Sequence, residues 1–123
     1  GSNMAKILAV DDSASMRGMV AFTLRGAGHE VTEAENGQLA LDAARASRHD
    51  LVLADVNMPV MDGIAMVREL RALDAYKGVP ILMLTTESHT ERKMEGKAAG
   101  ATGWLVKPFD PEQLLATVKR VLG

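Results

Sequence analysis

Five apolar runs of strand length alternate with stretches of helical periodicity, and no other property of this chain constrains its fold as strongly. The runs are Lys6 to Val10, Glu30 to Ala34, Leu51 to Ala54, Pro80 to Leu84 and Thr102 to Val106. After the first, Met16, Val20 and Leu24 recur at i, i+4, i+8 with Met19 on the flank, a helix face that Gly28 closes as a left-handed cap. Asn36-Gly37 opens a second helix to about Ser47, with Leu39, Ala40, Ala43 and Ala44 inward. Asp62 caps a third, carrying Ile64, Val67 and Leu70. Ser88-x-x-Glu91 is a capping-box pattern for a fourth that ends near Gly100. Asp110-Pro111-Glu112-Gln113 supplies a cap, Pro at N1 and Gln at N3 for the last, which buries Leu114, Leu115, Val118, Val121 and Leu122. Strands separated by helices imply a parallel sheet with helices on both faces. Leu51 to Ala54 is apolar throughout, as expected of a strand covered on both sides. The expectation is α/β, a (βα)5 doubly wound five-stranded parallel sheet.

Composition narrows the function classes. The 123 residues make one domain. A hydrophobic share of 47% excludes a disordered chain. No run approaches the roughly 20 apolar residues of a membrane-spanning helix. Lys and Arg number 14 against 16 Asp and Glu, a net charge of −2, which argues against nucleic-acid binding. The lack of Cys excludes disulfides, thiolate metal sites and Cys nucleophiles. Gly1-Ser2-Asn3 ahead of Met4 reads as an expression remnant, and no signal-peptide pattern follows. The expectation is a cytoplasmic monomer, one domain over residues 4–123 with no output domain and no membrane insertion.

In a doubly wound sheet the site lies beyond the carboxyl ends of the strands. Strand 1 ends in Asp11-Asp12, strand 3 in Asp55 and strand 4 in Thr85-Thr86, and strand 5 is followed by Lys107-Pro108. Any one of these is ordinary turn chemistry. Together, three carboxylates in one crevice repel each other unless a cation sits among them. Hard oxygen ligands beside a phosphate suit Mg²⁺. A carboxylate beside that metal is a competent nucleophile toward phosphorus, and a Lys and a hydroxyl would hold the phosphoryl oxygens.

On these residues the chain resembles the receiver domain of two-component response regulators. The matching segments are Ile7-Leu8-Ala9-Val10-Asp11-Asp12-Ser13, Asp55-Val56-Asn57-Met58-Pro59 with Met61-Asp62-Gly63, Leu84-Thr85-Thr86 and Lys107-Pro108-Phe109. The wording Thr85-Thr86-Glu87 and Gly96 to Trp104 looks most like the chemotaxis, CheY-type branch. The resemblance implies strand order 2-1-3-4-5, the flavodoxin-like arrangement. It implies Asp55 as phosphoacceptor, with Asp12, Asp55 and the backbone carbonyl of Asn57 on Mg²⁺ and Asp11 acting mainly through water. It implies that Lys107 pairs with Asp55 and then with the phosphoryl group, that Lys107-Pro108 is cis, and that Thr85 bonds a phosphoryl oxygen. Trp104 falls at the switch position, where the family usually has Tyr or Phe, and Thr86 stands where it often has Ala or Gly. Asn57 and Glu87 fall at positions that tune dephosphorylation.

The implied function is a phosphorylation-activated switch. A histidine kinase of chemotaxis type donates to Asp55, and the surface of helix 4, strand 5 and helix 5 then engages a flagellar motor switch protein or another output protein. A phosphatase is a further partner. Such a chain is a phosphoacceptor whose only catalysis is its own phosphorylation and dephosphorylation. A phosphorelay intermediate and a receiver fragment of a larger regulator are the alternatives. A Mg²⁺-dependent phosphatase needs a general acid where Asn57 stands, and an FMN carrier needs a Ser/Thr/Gly loop where Asp11-Asp12 stands. His29, His49 and His89 are expected on the surface, and Met16, Met19, Met66 and Met83 in the core. Met58 and Met61 are expected to shape the loop beside the acidic site. Arg92, Lys93, Lys97, Lys119 and Arg120 read as a solvated face, of interest only because Trp104 lies between their helices.

Overall fold

The structure is a computed structural model and describes residues 4–56, 58, 61–86 and 90–123, with the side chains at 90 and 91 left aside. Its elements are β1 (Lys6–Val10), α1 (Ala14–Gly26), β2 (Glu30–Ala34), α2 (Gly37–Ala46), β3 (Leu51–Asp55), α3 (Gly63–Arg71), β4 (Ile81–Thr86), α4 (Thr90–Ala99), β5 (Gly103–Lys107) and α5 (Pro111–Leu122). A short 3-10 turn at Asp74–Tyr76, which the sequence reading did not anticipate, leads into β4. All strand pairs are parallel, in the order β2-β1-β3-β4-β5. The expected doubly wound (βα)5 fold is the observed one.

The apolar runs become strands because each is buried on both faces. One core cluster joins Val52, Ala54 and Met83 of the sheet to Ala40, Leu41 and Ala44 of α2 and Ile64, Val67 and Leu70 of α3. The other joins Ile7, Leu53 and Leu84 to Val20, Ala21 and Leu24 of α1 and Leu114 and Val118 of α5. Each fully buried Leu or Ile contributes about 1.5–3 kcal/mol, so this two-sided burial outweighs any local preference.

Helix starts follow side-chain chemistry. Asn36 Oδ1 accepts from Leu39 N at 2.8 Å and Asp62 Oδ1 from Ala65 N at 2.9 Å. At α5 the Asp110 and Gln113 side chains cap each other's backbone N–H at 2.8 and 2.9 Å, the capping box read from the sequence. The corresponding reading at Ser88 and Glu91 lies outside the described residues. Gly28 has φ +94°, as its left-handed cap requires.

Three expectations need correction. In α2 it is Leu41 that is buried, while Leu39 is exposed; an alanine-rich helix gave the wrong phase of the apolar face. His49 is not a surface residue but is 1% exposed, with Nδ1 3.1 Å from the Tyr76 hydroxyl and Nε2 3.1 Å from Thr32 Oγ1. His29 is half-buried, and its Nδ1 accepts from Ala5 N at 3.0 Å. His89 lies outside the described residues. Met66 and Met83 are fully buried as expected, and Met16 and Met19 pack against the edge of the second cluster.

Candidate functional site

The chain leaves β1 toward β2 on one side and returns to β3 on the other. The crevice between the carboxyl ends of β1 and β3 is therefore the switch point where such sheets place their sites. Three of the strands carry their polar ends into the ladder. Asp55 pairs with Leu84, and Thr85 and Thr86 with Val106 and Lys107, so these side chains stand on rigid backbone.

One carboxylate oxygen each from Asp11, Asp12 and Asp55 lies within 4.8 Å of the others. Asp11 is 2% and Asp55 9% exposed, while Asp12 opens to solvent. Lys107 Nζ reaches in from β5, 3.3 Å from Asp11 Oδ2 and 3.4 Å from Asp55 Oδ1. Three carboxylates share one ammonium here, and two of them, Asp11 and Asp55, are buried. Oxygen donors in that arrangement fit a hard divalent cation such as Mg²⁺.

The cluster is held from behind. Ser13 N donates to Asp11 Oδ1 at 2.9 Å, and Arg17 Nη1 to the Asp11 carbonyl at 2.7 Å. Arg17 is also 3.4 Å from Glu33, so it ties β2 to the end of β1. Thr85 is buried, and its hydroxyl donates to the Thr86 carbonyl at 3.3 Å. Lys107-Pro108 is cis. Asn57, Pro59 and Glu87 lie outside the described residues. Met58 is buried in the first core cluster and Met61 packs at its edge. Trp104 is not at the acidic cluster. It lies half-buried on β5 against the first core cluster.

Two residues near the site were not assigned a role from the sequence. A Cβ on Gly63 would overlap the carbonyl oxygen of Asp55, and Gly63 N donates to the Val56 carbonyl at 2.9 Å. The start of α3 thus packs directly on the backbone of Asp55. Its signal was the Asp62-Gly63 pair, read as a cap and as part of the receiver resemblance, with no role given to the glycine. Arg92, expected on a solvated face, instead bonds Asp62 Oδ2 at 3.1 Å and Glu95 at 2.8 Å. Burial alone would raise the Asp62 carboxyl, but the Ala65 N–H and the Arg92 guanidinium together hold it below its ordinary value.

The chain matches the response regulator receiver domain family over residues 7–119. It is 58% identical to the chemotaxis response regulator CheY4 of Vibrio cholerae, over 97% of this chain and 99% of that one, with a TM-score of 0.92. The receiver domain of a sensor histidine kinase from Pseudomonas aeruginosa, solved with a magnesium ion coordinated in its active-site cleft, is 32% identical over 97% of this chain and 98% of its own, with a TM-score of 0.90. The DNA-binding response regulator MtrA of Mycobacterium tuberculosis is 43% identical over 93% of this chain and 49% of its own length. The chain thus spans about half the length of the curated relatives it matches.

Proposed function

From the premise that this chain belongs to the response regulator receiver family, we propose that it is a chemotaxis regulator switched by phosphorylation of Asp55. Receiver domains are phosphorylated by histidine kinases and bind Mg²⁺ at their acidic site. The observation that carries the assignment is the convergence of Asp11, Asp12, Asp55 and Lys107 at the ends of β1, β3 and β5.

A carboxylate oxygen of Asp55 attacks phosphorus, the P–N bond of the phosphohistidine breaks, and the leaving imidazole takes up a proton. Lys107, already within 3.4 Å of Asp55, neutralises charge on the phosphoryl oxygens. Asp12 and Asp55, with the Asn57 carbonyl, would hold Mg²⁺ and Asp11 would act through water. Bound there, the cation would supply positive charge to the phosphoryl oxygens beside the carboxylates. The Thr85 hydroxyl exchanges the Thr86 carbonyl for a phosphoryl oxygen. Thr85 shares a sheet face with Met83, and Met83 stands opposite Trp104 in the β4–β5 register. A shift of Thr85 would therefore be felt along this face at Trp104 on β5 and at α4, whose Gly96 lies against the indole.

The chemotaxis assignment is supported by the 58% identity with CheY4, which runs nearly end to end in both chains. The proposed donor and output are a chemotaxis-type histidine kinase and a flagellar motor switch protein, both met in the cytoplasm. The match to half of MtrA favours a second reading, the receiver unit of a DNA-binding regulator.

Acetyl phosphate with Mg²⁺ should place one phosphoryl group on each chain, and a chelator should prevent it. Labelling that survives the chelator contradicts the acidic site. Capture of a motor switch protein only by beryllium fluoride-treated protein supports the chemotaxis reading, and capture that ignores the mimic removes it.

A further inference from the structure

Gly96 is buried on α4, and the space its side chain would take is occupied by another element. A Cβ there would lie 2.7 Å from Cη2 and 2.8 Å from Cζ3 of Trp104, atoms of the outer edge of the indole. The same point is 3.8 Å from Met83 Cγ, so the notch opens toward a core residue of β4. By contrast, the same point at Gly18, within α1, has nothing within 4 Å. A glycine inside a helix weakens that helix relative to alanine. At Gly96 the loss is offset by close packing of a large ring against bare backbone.

The location gives the pair its importance. Trp104 pairs in register with Met83, two residues before Thr85 on the same sheet face. The indole edge is thus wedged between the helix that follows β4 and the strand that carries it toward Lys107. A Tyr or Phe here would carry a single six-membered ring and reach less far.

We propose that Gly96 is a positioning residue that forms a size-matched pair with Trp104. The notch at Gly96 seats the indole edge and sets the resting position of α4 against β5. The signalling consequence rests on the receiver reading above: rearrangement of the α4–β5 surface requires the indole to leave this seat.

The test uses Gly96→Ala, Trp104→Phe and the double variant in the full chain, with Gly18→Ala as a helix control. Trp104 is the only Trp, so emission reports this ring alone. In Gly96→Ala the emission shifts to the red, acrylamide quenching rises and the melting temperature falls. In the Trp104→Phe background the shorter ring clears the added methyl. There, Gly96→Ala raises the melting temperature, as Gly18→Ala does. If Gly96→Ala alone does not fold, a folded double variant carries the same conclusion, and failure of both overturns it. Unchanged emission in Gly96→Ala, or a melting temperature raised alike in both backgrounds, overturns the pairing. Adding beryllium fluoride with Mg²⁺ should change wild-type emission, and by less in Gly96→Ala. An equal change in both proteins overturns the claim that the notch sets the resting position. No change in wild type contradicts the receiver switch while the stability cycle still measures the pair.

Discussion

Lys107 Nζ stands 3.4 Å from Asp55 Oδ1, reaching from the end of β5 across to the end of β3. Asp11 shares the same ammonium at 3.3 Å, so one cation moderates the repulsion within the carboxylate cluster. Lys107→Ala leaves buried carboxylates facing each other and should destabilise the protein by about 1–3 kcal/mol in a chelator. Mg²⁺ should restore much of that loss, because a ligand of the folded state stabilises it. Phosphorylation should persist in this variant while beryllium fluoride no longer changes Trp104 emission. A normal emission change would contradict the role given to Lys107.

Gly63 lies against the carbonyl of Asp55 with no room for a methyl group. Gly63→Ala should cost about 1–3 kcal/mol by overpacking. The displaced Asp55 should also accept phosphate about tenfold more slowly, since small errors in reacting geometry are expensive. The check is a labelling rate measured where the variant is still fully folded. A wild-type rate there would mean that this contact does not position Asp55.

His49 gives the fold a pH dependence remote from the site. Its imidazole is held below its ordinary value of 6.5, first by burial and then by Lys6, against opposing effects of the Ser47 backbone, Asp50 and Glu30. The unfolded chain therefore binds the proton more readily. Stability is full above the ordinary imidazole value and is lost as pH falls from there through the lowered folded value. His49→Gln should flatten that slope. It should also cost about 1–3 kcal/mol at neutral pH, because Tyr76 and Thr32 lose a buried partner. Urea melts across this pH range measure both effects, and an unchanged slope in the variant would assign the titration elsewhere.

Asp62 does two jobs, capping α3 through Ala65 N and pairing with Arg92 on α4. Asp62→Asn keeps a cap acceptor and loses the half-exposed ion pair, so it should cost only about 0.5 kcal/mol, less at high salt. Asp62→Ala loses the cap as well and should cost about 1 kcal/mol more. Because the carboxyl is held below its ordinary 3.8, its contribution is present above that value and is lost as pH falls through its lowered folded value. Equal losses in the two variants would deny the cap its share.

The strands and the polar residues at their ends were legible because a parallel sheet buried on both faces demands long apolar runs, and Asp or Lys stands out at their limits. What escaped notice depends on partners far away in the chain. His49 follows a helix and precedes Asp50, the pattern of an exposed loop, yet Thr32 and Tyr76 enclose it from 17 and 27 residues away. Leu39 and Leu41 could not be told apart in a helix whose other apolar residues are alanines. Gly96 carries no local signal, because its meaning lies in the ring of Trp104 on the next element.

The most direct measurement locates the phosphoryl group. After reaction with acetyl phosphate and Mg²⁺, borohydride reduction converts an aspartyl phosphate to homoserine, which peptide mass spectrometry can place. The account predicts a single reduced residue at Asp55 and no labelling of Asp55→Asn. Homoserine at Asp11 or Asp12, or stoichiometric labelling of Asp55→Asn, would contradict it.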